Sequence, residues 1–453
     1  MADGIIFERL GVPAVSIVTD AFTHSSNAMA KTQGAEGYRY AMVRHPLSSL
    51  SPEECHARAR EVLPDLIEIL GVGNGARAAT AVAPSAAEAP SAGGEAPAPD
   101  GLADLTKERV HDARRIIERY FEAGWTDGLP VSPVTEDVVA EFVEHTGRDP
   151  QEEVGVVGHL NRVCTVEGAA IAAAMAGCRK EYLPILLAVV ESMQPSTSTG
   201  LLQSTTGQCQ LIIVNGPIRR RLGFNSAGNV FGPGYRANAT LGRALRLIVM
   251  NAFGIRPGEF DQATQGTPAK YSFCIGENEE ESPWEPLHVE RGFPRDADVS
   301  TVHFARSNLH VEQRISSRPE HVLLTIADSM SYSGSYQAGR GYTVVMGPEH
   351  AQLLAGHGWT KQDAKRFLWE HWGRRKGELR RLGLLHDEQA GADPIASTGA
   401  DISGGEESFV RFGASPDSLL LVVAGARNAG VSTVVPTIRP FFHSQEIAPP
   451  RAG

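Results

Sequence analysis

Between Asn74 and Leu102 the chain reads NGARAATAVAPSAAEAPSAGGEAPAPDGL, without one aromatic residue and without an apolar face at helical or strand spacing. Such a stretch cannot bury enough surface to offset the entropy of ordering it. The expectation is a flexible Ala/Pro linker over residues 74–104, and it constrains everything else. Whatever folds must do so as two separate parts, a small unit over 1–73 and a main body over 105–453.

The small unit reads as parallel α/β. IFERLG ends a helix at Gly11, VPAVSIVT is a strand, DAFTHSSNAMAKTQGA a helix and YRYAMVRH a second strand. Ser51-Pro52-Glu53-Glu54 then starts the helix CHARAREVLPDLIEILG, with proline in the first turn and acids at the positive end of the dipole. Strand–helix–strand order implies parallel strands joined by a right-handed crossover.

The main body alternates helical segments such as KERVHDARRIIERYFEAG with apolar runs read as strands: QLIIVNGP, HVLLTIAD, YTVVMGP and LLLVVAGA. Buried Val/Ile/Leu runs between helices predict layered α/β architecture. The pattern breaks near residues 295–318, where two subdomains could divide. The stretch EQAGADPIASTGADISGGEES reads as a surface loop. A net charge of −11 argues against a nucleic-acid binder, which needs a basic face. No apolar run approaches the roughly 20 residues of a membrane span. The first residues, MADGIIFERLG, carry acids and no basic leader, which argues against a signal peptide. Five irregularly spaced cysteines form neither a disulfide framework nor a CxxC zinc site, so a cytoplasmic protein with reduced thiols is expected.

Five segments carry residues suited to chemistry. In CQLIIVNGPI followed by NSAGNVFGPGYRANATLGRALRL, a strand passes through a glycine-rich loop into a helix. Amides at a helix start can stabilise an anion, and glycine allows close backbone approach. Asn225, Gly228, Gly232, Gly234, Arg236, Asn238, Thr240 and Arg243 are therefore candidate substrate ligands, beside a purely structural turn. In CTVEGAAIAAAMAGCRKEYLP, Cys178 sits at a helix–helix corner flanked by Arg179 and Lys180, cations that favour a thiolate. The alternative there is a small buried residue filling the corner. The segment AKYSFCIGENEEESPWEPLHVERGF offers Lys270 as a substrate ligand, Cys274 as a thiol, and Glu277, Glu279 and His288 for acid–base work. Asp127 in GWTDGLPVSP is a further candidate ligand or a turn residue satisfying local backbone. Glu349 and His350 stand at another strand-to-helix junction, of the kind where polar groups of α/β sites gather.

The residues ERLGVPAVSIVTDAF and MVRHPLSSLSPEE resemble the UGSC-type (seleno)proteins, named for a U/C-G-S-C motif. The similarity follows the part of that pattern after the redox motif; no Cys-Gly-Ser-Cys occurs in this chain. The main body resembles a large bacterial family that often accompanies such domains, through DGLPVSP, MAGCRKEYLP, IVNGP, RANATLGRALRL, KYSFCIGENEEESPWEPLHVERG and GPEHAQLL. The resemblance implies thiol- or selenol-linked chemistry. Cys178 and Cys274 match its phrases; Cys55, Cys164 and Cys209 do not. A single thiol needs a partner to cycle through a disulfide, so a separate subunit supplies the motif or the main body works without it.

The sequence thus predicts an enzyme acting on a small polar or anionic substrate, through thiol-dependent redox or carbon–sulfur chemistry. The alternatives are an acid–base or metal-assisted lyase or hydrolase without a catalytic thiol, and a non-catalytic subunit binding a protein partner. A small molecule is the expected partner, with a protein or a homo-oligomer as the macromolecular option. No motif identifies a cofactor or a metal.

Overall fold

The structure, a computed structural model, describes residues 1–45, 47, 50–71, 107–194, 202, 205–332, 341–385 and 400–450. The linker expected at 74–104 lies outside these residues, as does most of the loop expected at 388–408. The chain divides into two compact units. One comprises 1–107 with 314–317 and 427–429, and the other the remainder.

In the first unit, α1 (Ala2–Arg9) precedes β1 (Ile17–Thr19), α2 (Thr23–Thr32), β2 (Ala41–Val43) and α3 (Pro52–Leu70). The two strands pair in parallel, Ile17 opposite Ala41 and Thr19 opposite Val43. This is the order that strand–helix–strand alternation required. Helix α3 starts on a capping box in which Ser51 accepts from the Glu54 amide and the Glu54 carboxylate accepts from the Ser51 amide. It stops at Gly71 in the left-handed conformation. Two small apolar groups hold the unit, Ile5 with Ala30 and Ala35, and Ala41 with Val43 and Val62.

The second unit opens with α4 (Lys107–Glu122), α5 (Glu136–Thr146) and the hairpin β3 (Glu153–Val157) and β4 (Arg162–Thr165). Then come α6 (Val166–Ala176), α7 (Leu183–Ser192), β5 (Cys209–Asn215), α8 (Ile218–Leu222), α9 (Arg236–Leu247), β6 (Cys274–Gly276) and the one-turn α10 (Leu287–Glu290). The chain continues through β7 (Val299–Ala305), β8 (Leu309–Glu312), α11 (Pro319–Tyr332), β9 (Tyr342–Met346), α12 (Pro348–Gly356) and α13 (Lys361–His371). It closes with the antiparallel pair β10 (Gly373–Arg375) and β11 (Phe409–Arg411), helix α14 (Lys376–Arg381) between them, then β12 (Leu419–Val423) and β13 (Val431–Glu446).

One expected strand is a helix. HVLLTIAD belongs to α11, where Val322, Leu323, Ile326, Ala327 and Met330 recur at helical spacing and are all buried. The apolar run alone did not distinguish a buried helix from a buried strand.

The main sheet runs β12-β9-β13-β7-β5-β6, with β8 added to β13. It is mixed: β5/β6 and β9/β12 are parallel, while β7 and β13 run antiparallel to their neighbours. Strand residues alternate between two faces. Ile212 and Val214 pack with α5, α6, α7 and α9, and Val344, Met346 and Leu421 pack with α11, α12 and α13. The other face of the same strands forms one inner core, including Leu211, Ile213, Ile275, Val345, Leu420 and Val422. The sheet therefore curls until its edges meet. The Asn278 amide donates to the Val423 carbonyl at 2.7 Å, Gly276 donates to Asn225 at 3.0 Å, and Gly425 donates to Ser226 at 2.9 Å. The loop after β5 bridges β6 and β12 through Asn225 and Ser226.

Gly216 shows why the β5 exit needs glycine. Its φ is +88°, and a Cβ there would stand 2.2 Å from the Ala297 carbonyl oxygen. The corresponding turn after β9 is as tight, with a Gly347 Cβ 2.1 Å from the Val431 oxygen.

Candidate functional site

Parallel pairing brings the carboxyl ends of β5 and β6 side by side, where ligand sites of α/β sheets tend to form. Asn215, the last residue of β5, and Glu277, one residue beyond β6, follow the alternation of Ile213 and Ile275 onto the inner-core face. Both are fully buried. Asn215 Nδ2 donates to Glu277 Oε2 at 2.6 Å and to Glu279 Oε1 at 3.1 Å. The Leu287 amide, at the start of α10, donates to the same Glu277 Oε2 at 2.7 Å. Glu279 Oε1 also accepts from the Gly216 amide at 2.8 Å and from Arg219 Nε at 3.0 Å. Arg219 in α8 is buried and donates through its two terminal nitrogens to Glu280.

His288 is fully buried on α10, and its Nε2 lies 3.1 Å from the Arg295 carbonyl. A carbonyl only accepts, so Nε2 carries the proton. Nδ1 lies 4.0 Å from Glu279 Oε1, beyond hydrogen-bond reach. Beside these groups, Lys361 and Lys365 of α13 both pair with Glu290, at 2.7 and 3.0 Å.

Three buried acceptor atoms in this cluster have no hydrogen-bond partner: Asn215 Oδ1, Glu277 Oε1 and His288 Nδ1. Burial raises the pKa of Glu277 above the usual carboxylate range; the nearby Lys361 charge, the Leu287 amide and Asn215 offset this only in part. Burial raises that of Glu290 too, but Lys361 and Lys365 outweigh it and hold the group low. For Arg219, burial opposes the charged form, while its bonds to Glu280 and the Glu279 charge prevail and raise it. A carboxyl pushed toward neutrality thus stands beside fixed charges, as acid–base sites require.

Of the residues singled out from sequence, Glu277, Glu279 and His288 come together. Cys274 lies three residues before Glu277 on the same extended chain, so its side chain takes the opposite face, among the helix-side core with Cys178. Burial pushes the Cys178 thiol up to about 12, against smaller opposing effects from Thr240 and Arg236. Burial likewise pushes Cys274 up, and Cys164 and Cys209 to about 12. Such thiols hold almost no thiolate at neutral pH. Cys55 alone is exposed. In the native protein one thiol, removed by Cys55→Ser, is expected to react rapidly with dithionitrobenzoate; all five react in denaturant.

The glycine-rich loop spends its polar groups on the protein itself. Asn225 accepts from the Ala227 amide and donates to the Gly228 carbonyl. Asn238 accepts from the Asn225 amide and donates to the carbonyls of Asn225 and Cys274. Arg236 Nε donates to the Gly177 carbonyl at 2.9 Å at the end of α6, and Thr240 donates to the Arg236 carbonyl. A Cβ at Gly228 would stand 3.3 Å from Ala426, and one at Gly232 would run into Asn229; Gly234 has a φ of +115°. Arg243 grips Asp127 with two 2.8 Å bonds and also donates to the carbonyls of Leu129 and Pro130. Lys270 joins Arg246 on Asp261. His350 lies 2.8 Å from Ser432 Oγ and 3.0 Å from the Gln313 carbonyl.

Asn215, Arg219 and Lys361 were not singled out as site residues. Asn215 was visible as the polar end of the apolar run IIVNGP. Arg219 and Lys361 reach the cluster only through the fold. Among the described residues, no group of three or more His, Cys, Asp or Glu side chains is arranged to hold a metal ion, and no helix is long and apolar enough to cross a membrane. A cavity of about 220 Å³ beside Arg148 and Glu191 is lined by none of the candidate residues.

By architecture the chain is an α/β protein with a buried carboxyl–histidine cluster at parallel strand ends. Its residues 1–72 match the model of the UGSC family, in line with the resemblance read from ERLGVPAVSIVTDAF. No curated protein matches the chain.

Proposed function

We propose that the second unit is an acid–base enzyme, a lyase or hydrolase acting on a small polar substrate, with Glu277 as proton carrier and His288 as its partner. The observation behind this reading is the orphaned trio of buried acceptors at the carboxyl ends of β5 and β6. Buried polar groups in native proteins are nearly all hydrogen-bonded, so three unpaired ones in one cluster call for an explanation. Burial favours the neutral form of Glu277 more than in an exposed glutamate, which suits it to donate a proton. His288, with its proton fixed on Nε2, presents an accepting Nδ1. The cluster reaches solvent through Glu279 and Glu280, whose side chains are 15% and 44% exposed.

Thiol chemistry fits this environment less well, because Cys178 and Cys274 are buried and lie on the other face of β6. The full chain, screened against small amides, esters, amino acids and hydroxy acids, separates the two readings. Turnover is expected to survive Cys178→Ser combined with Cys274→Ser and to fall about 100-fold or more in His288→Asn. Loss in the cysteine variant with full activity in the histidine variant would reverse the assignment.

A further inference from the structure

The three unpartnered atoms have a chemical feature in common. Asn215 Oδ1 is an amide oxygen and can only accept, while Nδ2 of the same amide is committed to Glu277 and Glu279. His288 Nδ1 can only accept in the neutral ring, because Nε2 donates to the Arg295 carbonyl. Glu277 Oε1 accepts whenever the carboxyl is ionised. All three are buried, and their side chains belong to one cluster linked through Glu277 and Glu279. A water molecule offers two protons and carries lone pairs of its own. A group with three donors and no acceptor is an ammonium.

We propose that this cluster binds a small protonated amine, either the ammonium ion or the –NH3+ head of a substrate. Glu277, on giving up its proton, supplies the negative charge, and Asn215 and His288 supply neutral acceptors that shape the site for hydrogen bonding. The other charges near Glu277 are engaged: Glu279 and Glu280 by Arg219, and Lys361 and Lys365 by Glu290. A cation entering beside Glu277 takes the place of the carboxyl proton, so the buried net charge is unchanged. For an acid–base enzyme this makes the substrate class an amine or an amide that releases ammonia. The inference rests on the acid–base reading for that last step only; the binding stands on the acceptors.

Thermal unfolding of the full chain in the chlorides of ammonium, methylammonium, tetramethylammonium and sodium, at matched ionic strength, tests it. Ammonium is expected to raise the midpoint by roughly 2 °C or more at a concentration tenfold above its dissociation constant, relative to sodium. Tetramethylammonium, which has no N–H, has no such effect. A response to ammonium alone assigns the free ion, and a response to methylammonium as well assigns the head of a larger molecule. In Glu277→Gln the side-chain amide itself donates into the site, and the response disappears. Equal midpoints in ammonium and sodium, or an undiminished response in Glu277→Gln, would overturn the proposal. Missing ammonium binding with activity still dependent on Glu277 would leave the acid–base reading standing. Ammonium binding in a protein whose turnover ignores Glu277 would do the reverse.

Discussion

Replacing Asp127 with alanine is expected to destabilise the second unit by about 3–5 kcal/mol, the range for removing one partner of a buried ion pair. The Asp127 side chain is 3% exposed and that of Arg243 16%, and the two share a bidentate contact. The remaining Arg243 bonds go to the Leu129 and Pro130 carbonyls, which cannot neutralise it. Alanine therefore leaves a half-buried guanidinium without a counter-charge. Urea unfolding followed by tryptophan fluorescence reads the loss. The double change Asp127→Leu with Arg243→Met, which removes both charges and keeps apolar volume, is expected to recover most of it. A loss below about 1 kcal/mol would mark the pair as solvent-screened. The pair ties the turn after α4 to the middle of α9, so Asp127 acts as a structural clamp.

That result bears on how the sequence is read. Asp127 and Arg243 both looked like ligands because each is a charged residue in a loop or helix start rich in turn residues. Their separation of 116 positions hid the fact that each is the other's partner. The same holds for the glycine-rich loop. Its asparagines suit a polar substrate, but Asn225 and Asn238 spend their amides on holding the loop between the edges of a curled sheet. Curling is a property of strand order and twist, and no local spacing encodes it.

Local patterns were legible where one period dominated. QLIIVNGP, YTVVMGP and LLLVVAGA are β5, β9 and β12, each ending one or two residues before a glycine, and the N-terminal strand–helix–strand order produced a parallel pair. HVLLTIAD failed because the apolar run was read without its period: as α11 it buries Val322, Leu323, Ile326 and Ala327 and turns His321, Leu324 and Asp328 outward, the spacing of a helix. In the candidate site, Glu277 and His288 stand out together because one short segment carries carboxylates and a histidine suited to acid–base work. Asn215 and Lys361 come from elements 62 and 84 positions from Glu277 and needed the sheet to bring them there. Strand alternation could have separated the thiol from the carboxyl beforehand, since Cys274 and Glu277 are an odd number of residues apart.

Glu277→Gln is expected to lower turnover by about 100- to 10,000-fold, the usual contribution of a positioned acid or base, while making the protein more stable at neutral pH. The two effects have opposite signs because glutamine copies the neutral carboxyl without its labile proton. Its Oε1 can accept from Asn215 and Leu287 as the carboxylate does, and its Nε2 points donors where Glu277 Oε1 is unpartnered. Burial holds the folded-state pKa of Glu277 above its unfolded value. Its contribution to stability is therefore fully present below the unfolded value and is lost as pH rises through the folded one. Glutamine stays neutral throughout, so wild type and variant should unfold alike in acid and diverge above the ordinary carboxyl range, with the variant the more stable. Denaturation midpoints measured from pH 4 to 8 beside turnover separate proton transfer from packing. A variant that is less stable at every pH would mean that Glu277 is held as an ionised structural group. One that keeps full turnover would mean that the proton moves through another residue, and His288 would then have to carry the chemistry without a carboxylic acid beside it.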